Sequence, residues 1–597
     1  MTIARGVLGL ELYEAVEVGP VEVTELAATL PNLRFPVDLS GGVRPFRHRR
    51  GRLERLTFRL SFEAASRHAT RRVKEILGGL ERPVSVFRVP GGIGVGAIGA
   101  QGAVAFDLLY APSMGDARVV VARARGAGLR GPALGVALAI VDSVFGRALT
   151  RSGRVLTLAG AAGALSRLVM PAVGARAPSA DGLAAGPVET DGEAVTCTFD
   201  TTFPPTALPD DVIRAVELAE LVRAADDDLA AGRTDAARQG YVLALERAPR
   251  HPELCRLVAE IDTFAGERAE AALSLLSESL PLSESGTIGA TLLARVGDRA
   301  GAREAIAAAT RSEEYAPLAA LLFLEAASHA DDAASRIAWL SDAVARAPSL
   351  AAPRWQRFEA RLSHGDVKDA LSDAEHLEAA AVGNRARHEV CVRAGRALVS
   401  SGYVAVGGRL FERALRYLPD DPEATAGLGR ALVESGRAER AVTLLERALA
   451  LGEKKGNVPA GALVDLAKIL AKLGDLPQAV ARVRAVASDR EEVVVARALE
   501  AEWREKLGDL AGASLAYARL RESLELSSPA DPLEAALVLE RAARFEWESQ
   551  RDVRAAERHL ATALRLAPRD RRIGDAYREM AARLAAELRP ASREGQD

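Results

Sequence analysis

The chain has 597 residues, of which 49% are hydrophobic, 27% charged and 4% aromatic, with a formal net charge of −3. That length and apolar content allow a large core in more than one structural unit. The three cysteines, Cys197, Cys255 and Cys391, lie too far apart for a CxxC pair or a disulfide framework and fit a reducing compartment.

The first residues, MTIARGVLGLELYEAVEVG, lack the basic start, apolar core and cleavage site of an export signal. No window holds about 18 uninterrupted apolar residues, so no spanning helix is expected. The expected location is cytoplasmic, with peripheral membrane contact as an extension. Ala, Leu and Arg dominate the composition, which favours helices, although a GC-rich genome produces the same bias.

The N-terminal third reads as an α+β, strand-rich domain over residues 1–205. VEVTELAATL, RLERLTFRLSF, PVSVFRV, GGIGVGAI, AVAFDLLY, ARVVVAR and EAVTCTFD alternate or run apolar between Gly, Pro and Asp, as strands do. Three helices are expected between them, in AASRHATRRVKEILGG, PALGVALAIVDSVFGRAL and VLTLAGAAGALSRLVMPAVG. The last two are unusually apolar for surface helices.

Charge in this third is concentrated. From Ser40 to Arg130 there are 17 Lys and Arg against 6 Asp and Glu, a balance of +11, so the rest of the chain carries −14. The densest part holds Arg44, Arg47, His48, Arg49, Arg50, Arg52 and Arg55, followed by Arg71 and Arg72. Such a face attracts anionic lipid, nucleic acid or an acidic protein surface. A solvated face and an intramolecular dock for the acidic remainder account for it equally. Aromatics are sparse around the cluster, with Phe46 and Phe58 beside it and no stacking platform, which argues against nucleic acid.

Gly94, Gly96 and Gly99 satisfy GxGxxG. A phosphate-binding loop opens a helix, however, and here Gly102 and the strand AVAFDLLY follow. A glycine-softened hairpin is the better account. No catalytic or metal-binding motif is present, and neither a cofactor nor an enzymatic activity is expected.

After an expected linker at residues 206–217, the period changes. Gly395, Gly402, Gly407, Phe411 and Ala414 stand 34 residues before Gly429, Gly436, Ala441, Leu445 and Ala448. That frame gives about ten helical hairpins over residues 218–570, opening at 218, 252, 283, 317, 351, 388, 422, 460, 494 and 537. Small residues at Gly429 and Ala441 let two helices approach, and Leu432 and Leu445 fill the space beside them. Arg336 and Arg504 depart from the pattern, standing where a small and a large apolar residue are expected. The stripe Ile573, Tyr577, Met580, Leu584 and Leu588 predicts a capping helix within residues 571–597, followed by a disordered tail.

This series resembles the tetratricopeptide repeat family, with small residues at the eighth and twentieth positions, a large one at the twenty-fourth and proline near the thirty-second. The resemblance implies a multidomain chain, an α+β domain followed by an all-α solenoid, and a non-enzymatic scaffold that binds a protein partner on its concave surface. It carries over no individual binding residues. Arg430, Glu434, Lys468 and Lys472 are candidates that read equally as solvated faces. The N-terminal third resembles bacterial tubular lipid-binding domains in the order of its elements alone. The alternative is therefore a lipid carrier whose N-terminal domain encloses an acyl chain.

Overall fold

The computed structural model describes residues 2–4, 7–12, 14–31, 49, 51–112, 116–146, 149–170, 176–203, 207–265, 268–279, 286–486, 492–526, 529 and 531–587. The chain divides into two compact units, Met1–Ala360 and Arg361–Asp597.

The first unit opens with two antiparallel sheets. Strands β1 (Thr2–Ala4), β2 (Val7–Glu11), β3 (Val16–Val18), β4 (Val21–Leu30), β5 (Arg52–Ser61), β12 (Ala184–Thr190) and β13 (Ala194–Asp200) form one, in the order β1-β2-β4-β5-β13-β12 with β3 beside β4. Strands β6 (Ser85–Val89), β7 (Gly92–Gly99), β8 (Gly102–Tyr110), β9 (Ala117–Ala127), β10 (Thr150–Ser152) and β11 (Val155–Leu158) form the other, in the order β10-β11-β9-β8-β7-β6. Helices α1 (Phe62–Arg72), α2 (Ala133–Phe145) and α3 (Ala161–Val169) are interleaved.

The two sheets solve burial differently. In the first, Leu53 and Leu56 of β5 pack with α3 residues Ala162, Leu165 and Val169, while Arg52 and Arg55 on the same strand are exposed. The second is buried on both faces, which is why AVAFDLLY reads as an unbroken apolar run. Val104 and Phe106 pack with α2, and Ala103 and Ala105 pack on the opposite side.

Two sequence expectations need correction. Residues 73–79 are turns, since Val73 ends α1 and Gly78 and Gly79 take positive φ. VLTL is strand β11, held by pairing with β9, and only after Gly160 at φ 54° does α3 begin.

Part of the expected linker is α4 (Asp210–Leu221), whose Val212 and Ala219 pack on Leu109, Val120 and Ala122 of the second sheet. Helical hairpins follow: α5 (Arg223–Ala230) with α6 (Thr234–Arg247), α7 (Pro252–Ala265) with α8 (Ala269–Ser279), α9 (Gly286–Arg295) with α10 (Arg299–Ser312), and α11 (Ala316–Ser328) with α12 (Ala333–Arg346). The division between the units falls within α13 (Ala351–His364).

Among the described residues the second unit is helical throughout. It holds α14 (Val367–Ala380), then hairpins α15 (Gly383–Ser400) with α16 (Val404–Tyr417), α17 (Pro422–Glu434) with α18 (Ala438–Lys455), α19 (Ala460–Lys472) with α20 (Leu476–Arg484), α21 (Val493–Leu507) with α22 (Leu510–Leu526) and α23 (Pro532–Phe545) with α24 (Val553–Leu566). A last helix, α25 (Arg571–Glu587), buries Ile573 and Met580, while Leu588 and the rest of the expected tail lie outside the described residues.

The repeat frame has a physical cause in the helix contacts. A Cβ on Gly407 would lie 2.8 Å from Gly395 O and 2.6 Å from Val399 Cγ2, so α15 and α16 touch only because both glycines lack side chains. Gly407→Val is expected to destabilise the chain by about 1–3 kcal/mol through overpacking, read as a lower urea midpoint with unchanged slope. Between the helices of a hairpin, Gly402, Gly436 and Gly508 take φ of +86°, +75° and +75°, the left-handed conformation that closes a helix C-terminus. Arg504, where the frame asks for an apolar residue, is buried and bonds Glu500 at 2.9 Å; Glu500 also accepts from Arg497 at 2.9 Å.

One buried group makes stability depend on pH. Burial, reinforced by Arg521 and Arg558, pushes the His559 imidazole down to about 4. The folded state then resists protonation while the unfolded chain titrates near its ordinary value of about 6.5. The contribution is complete above pH 6.5 and is lost as pH falls toward 4, on the order of 3 kcal/mol. Denaturant titrations between pH 4 and 7 are expected to lose that slope in His559→Gln.

Candidate functional site

The basic residues singled out from the sequence fall on separate elements. Arg44, Arg47, His48 and Arg50 lie outside the described residues, and Arg49 is exposed. Arg52 and Arg55 lie on β5, where Arg55 Nε is 2.6 Å from Asp200 of β13. Further along the strand, Arg59 pairs with Asp191 at 2.9 Å and helps hold that carboxyl down at about 2. Arg71 and Arg72 are exposed in the last turn of α1, where they complement the helix dipole. Arg55 is thus engaged in a cross-strand pair, while Arg52, Arg71 and Arg72 remain open to solvent.

The GxGxxG glycines have a packing role. β7 pairs antiparallel with β8, so no helix begins at this motif. A Cβ on Gly96 would lie 2.6 Å from the Tyr315 ring, and one on Gly94 would lie 2.2 Å from Phe87. The two rings stack at 6.3 Å, nearly parallel at 6°. The glycines therefore let the Tyr315 ring, at the start of α11, lie flat on the sheet.

That contact is part of a larger one. The first helix of each of the four opening hairpins faces the chain's own sheet and α2. Leu229 of α5 and Leu257 and Val258 of α7 join the α2 core, and Ala290 and Leu293 of α9 and Leu318 and Leu322 of α11 join the opposite one. Ion pairs fix the register. Arg125 of β9 bonds Glu313 at 2.7 Å. Arg154, 2% exposed at the turn before β11, makes a two-pronged bond to Asp226 at 2.7 and 2.9 Å, and Tyr241 donates to the same carboxylate at 2.7 Å. Arg151 adds Asp227 at 2.8 Å, and Glu260 of α7 accepts from the Ala133 amide at the start of α2 at 2.8 Å. No sequence reasoning singled out Arg154 or Asp226, since no motif or spacing marks them.

In the second unit the first helices are linked to one another. Arg396 of α15 pairs with Glu423 of α17, Arg430 of α17 with Asp465 of α19 at 2.7 Å, and Arg541 of α23 with Glu505 of α21 at 3.3 Å. Of the four candidates, Arg430 is therefore a structural ion-pair partner. Glu434, Lys468 and Lys472 are exposed, and the two lysines stand one turn apart on α19 without an ion pair among the described residues.

The described residues hold no group of three or more metal-ligating side chains and no helix long and apolar enough to cross a membrane. All three cysteines are buried, and burial pushes the Cys197 and Cys391 thiols up to about 11 and about 12, which keeps them protonated.

A strand-rich region followed by stacked helical hairpins with left-handed turn glycines defines a helical-repeat scaffold. The tetratricopeptide repeat family profile matches residues 408–457. Those residues, from α16 to just beyond α18, carry the tetratricopeptide repeat match. Among solved structures it is similar to yeast Tom70, at 15% identity over 58% of this chain and 68% of that one, with a TM-score of 0.33. It is also similar to a human IFIT1 dimer with PPP-AAAA, at 14% identity over 64% and 96%, TM-score 0.32. A thermophilic tetratricopeptide repeat protein of Thermus thermophilus matches at 20% identity over 33% and 99%, TM-score 0.24. No curated protein matches the chain.

Proposed function

We propose that the chain is a non-enzymatic adaptor that holds a protein partner on the first helices of the hairpins in its second unit. The observation that carries this reading is the occupancy of the first unit, whose corresponding helices are covered by the chain's own sheet. The second unit holds only helices among its described residues, and α19 presents Lys468 and Lys472 to solvent. Stacked hairpins of this kind supply an extended surface for a peptide or helix. Affinity purification with the full chain and with Lys468→Glu/Lys472→Glu tests it. Partner recovery is expected to fall at least roughly tenfold in the variant, corresponding to about 1.4 kcal/mol. Equal recovery would move the partner elsewhere.

A second reading assigns the N-terminal region an anionic partner, a membrane surface included, through Arg52, Arg71 and Arg72 and the basic run before them. It is favoured by the exposure of those three arginines. Salt-sensitive sedimentation of the full chain with anionic but not neutral vesicles would support it, and no binding to either would return the arginines to a solvated face. The lipid-carrier alternative draws no such support. The apolar helices that suggested it, α2 and α3, are covered by the two sheets and the opening hairpins.

A further inference from the structure

A half-open cavity of about 210 Å³ lies in the first unit where the turn after β9 meets α7, α9 and α11. Charges of both signs line it unanswered. Arg295, exposed at the end of α9, and Glu325, half-buried on α11, have no ion pair among the described residues. Glu325 accepts the Thr291 hydroxyl at 3.1 Å, a hydroxyl that also lies 2.9 Å from Thr287 O. Burial holds this carboxyl above its ordinary range, as it does for an acid with no cation beside it. The second acid on the wall, Glu260, is already answered, since it accepts from the Ala133 amide at 2.8 Å and pairs with Arg256 at 3.4 Å.

The lining donors are as uneven as the charges. Thr263 gives its hydrogen to Ala259 O at 2.6 Å and Thr287 gives its own to Gly126 O at 3.3 Å, while that of Thr291 serves Thr287 O or Glu325. Each hydroxyl keeps an oxygen that accepts but no hydrogen to give. Among the described lining side chains, Arg295 is then the one with donors to spare. It stands four residues beyond Thr291 on the same face of α9, so the free cation lies about one helical turn, roughly 6 Å, from the residue that bonds Glu325.

A guest with a single charge would leave one of these two groups unanswered. A guest that carries both charges on neighbouring atoms answers each. Leu129, Ile288 and Phe264 line the remainder and offer apolar surface to a short carbon chain. The volume is below the roughly 300–1,000 Å³ of drug-sized sites, so the guest is small.

We propose that this cavity binds a small aliphatic α-amino acid as its zwitterion, with the carboxylate on Arg295, the ammonium on Glu325 and the threonine oxygens, and the side chain along Ile288 and Leu129. The inference stands apart from the adaptor reading and needs no partner on the second unit.

Titration calorimetry of the full chain with L-valine tests it. Isobutylammonium chloride, which is valine without its carboxylate, and sodium isovalerate, which is valine without its ammonium, separate the two charges. Saturable binding of valine is expected, with both single-charge analogues weaker by at least roughly tenfold, about 1.4 kcal/mol. Glu325→Gln keeps an acceptor for Thr291 and removes the charge, so valine affinity should fall at least tenfold while the melting curve and the weak binding of isovalerate stay as in the parent. Arg295→Gln, at an exposed position, should weaken valine by a similar factor and leave isobutylammonium unchanged, and it carries the test where Glu325→Gln does not fold. No saturable binding of valine, parental valine affinity in Arg295→Gln, or an analogue that binds as tightly as valine would overturn the proposal.

Discussion

Residues 1–205, expressed alone, are expected to show no cooperative thermal transition, whereas residues 1–364 unfold in one. Both faces of the second sheet need helices from beyond residue 205. On one, Leu109, Val120 and Ala122 are covered by α4 and Ile98, Ala103, Ala105 and Ala127 by α9 and α11; on the other, the core that Val104 and Phe106 share with α2 takes in Leu229 of α5 and Leu257 of α7. Removing those helices returns several fully buried side chains to water, at about 1.5–3 kcal/mol for each large one, against a net stability of about 5–15 kcal/mol for a whole domain. It also strips Asp226 from Arg154, leaving a guanidinium among apolar residues with no carboxylate. Near-ultraviolet circular dichroism during melting reads the difference. A sharp transition in the shorter fragment would refute the interdependence, and with it the idea that the sheet permanently occupies the first four hairpins. It would also reopen those hairpins as a surface for a partner.

The repeats were legible in the sequence because their cause is local. Helix contacts within a hairpin fix which positions must be small and which large, so Gly395 and Gly407 are echoed at Gly429 and Ala441, 34 residues later. The strands were legible for the same reason, as alternation or apolar runs over ten residues or fewer. What covers them was not. Gly96 makes room for Tyr315 more than 200 residues away, and nothing periodic connects the two. The arginines of β5 looked like a free basic face because their acids, Asp191 and Asp200, come from the turn before the neighbouring strand β13 and from that strand itself, 132 and 145 residues further along the chain. The excess of positive charge before Arg130 and of negative charge after it was visible, and part of it resolves internally, Arg125 on Glu313 being one such pair. The cavity beside Glu325 left no trace in the sequence, since its walls come from three helices and a turn.

Arg154→Ala is expected to destabilise the first unit by about 3–5 kcal/mol, the cost of leaving one partner of a buried ion pair uncompensated. Arg154 is 2% exposed and Asp226 0%, and Asp226 receives two bonds from Arg154 and one from Tyr241. Removing the guanidinium leaves the carboxylate with the phenol as its remaining side-chain partner. The same logic predicts a partial rescue. Arg154→Met together with Asp226→Leu replaces both charges by apolar groups of similar reach, and the double variant should be more stable than Arg154→Ala. Tyr241→Phe added to that pair removes the hydroxyl that the lost carboxylate would otherwise leave without an acceptor, and should recover further stability. Urea denaturation of the full chain and the variants measures all three. If Arg154→Ala costs under about 1 kcal/mol, the pair behaves as a solvated one, and the seam between sheet and hairpins must open to water far more than its burial implies. If the double variant is instead worse than the single, the ion pair itself, rather than the shape of the seam, determines how the sheet seats on α5.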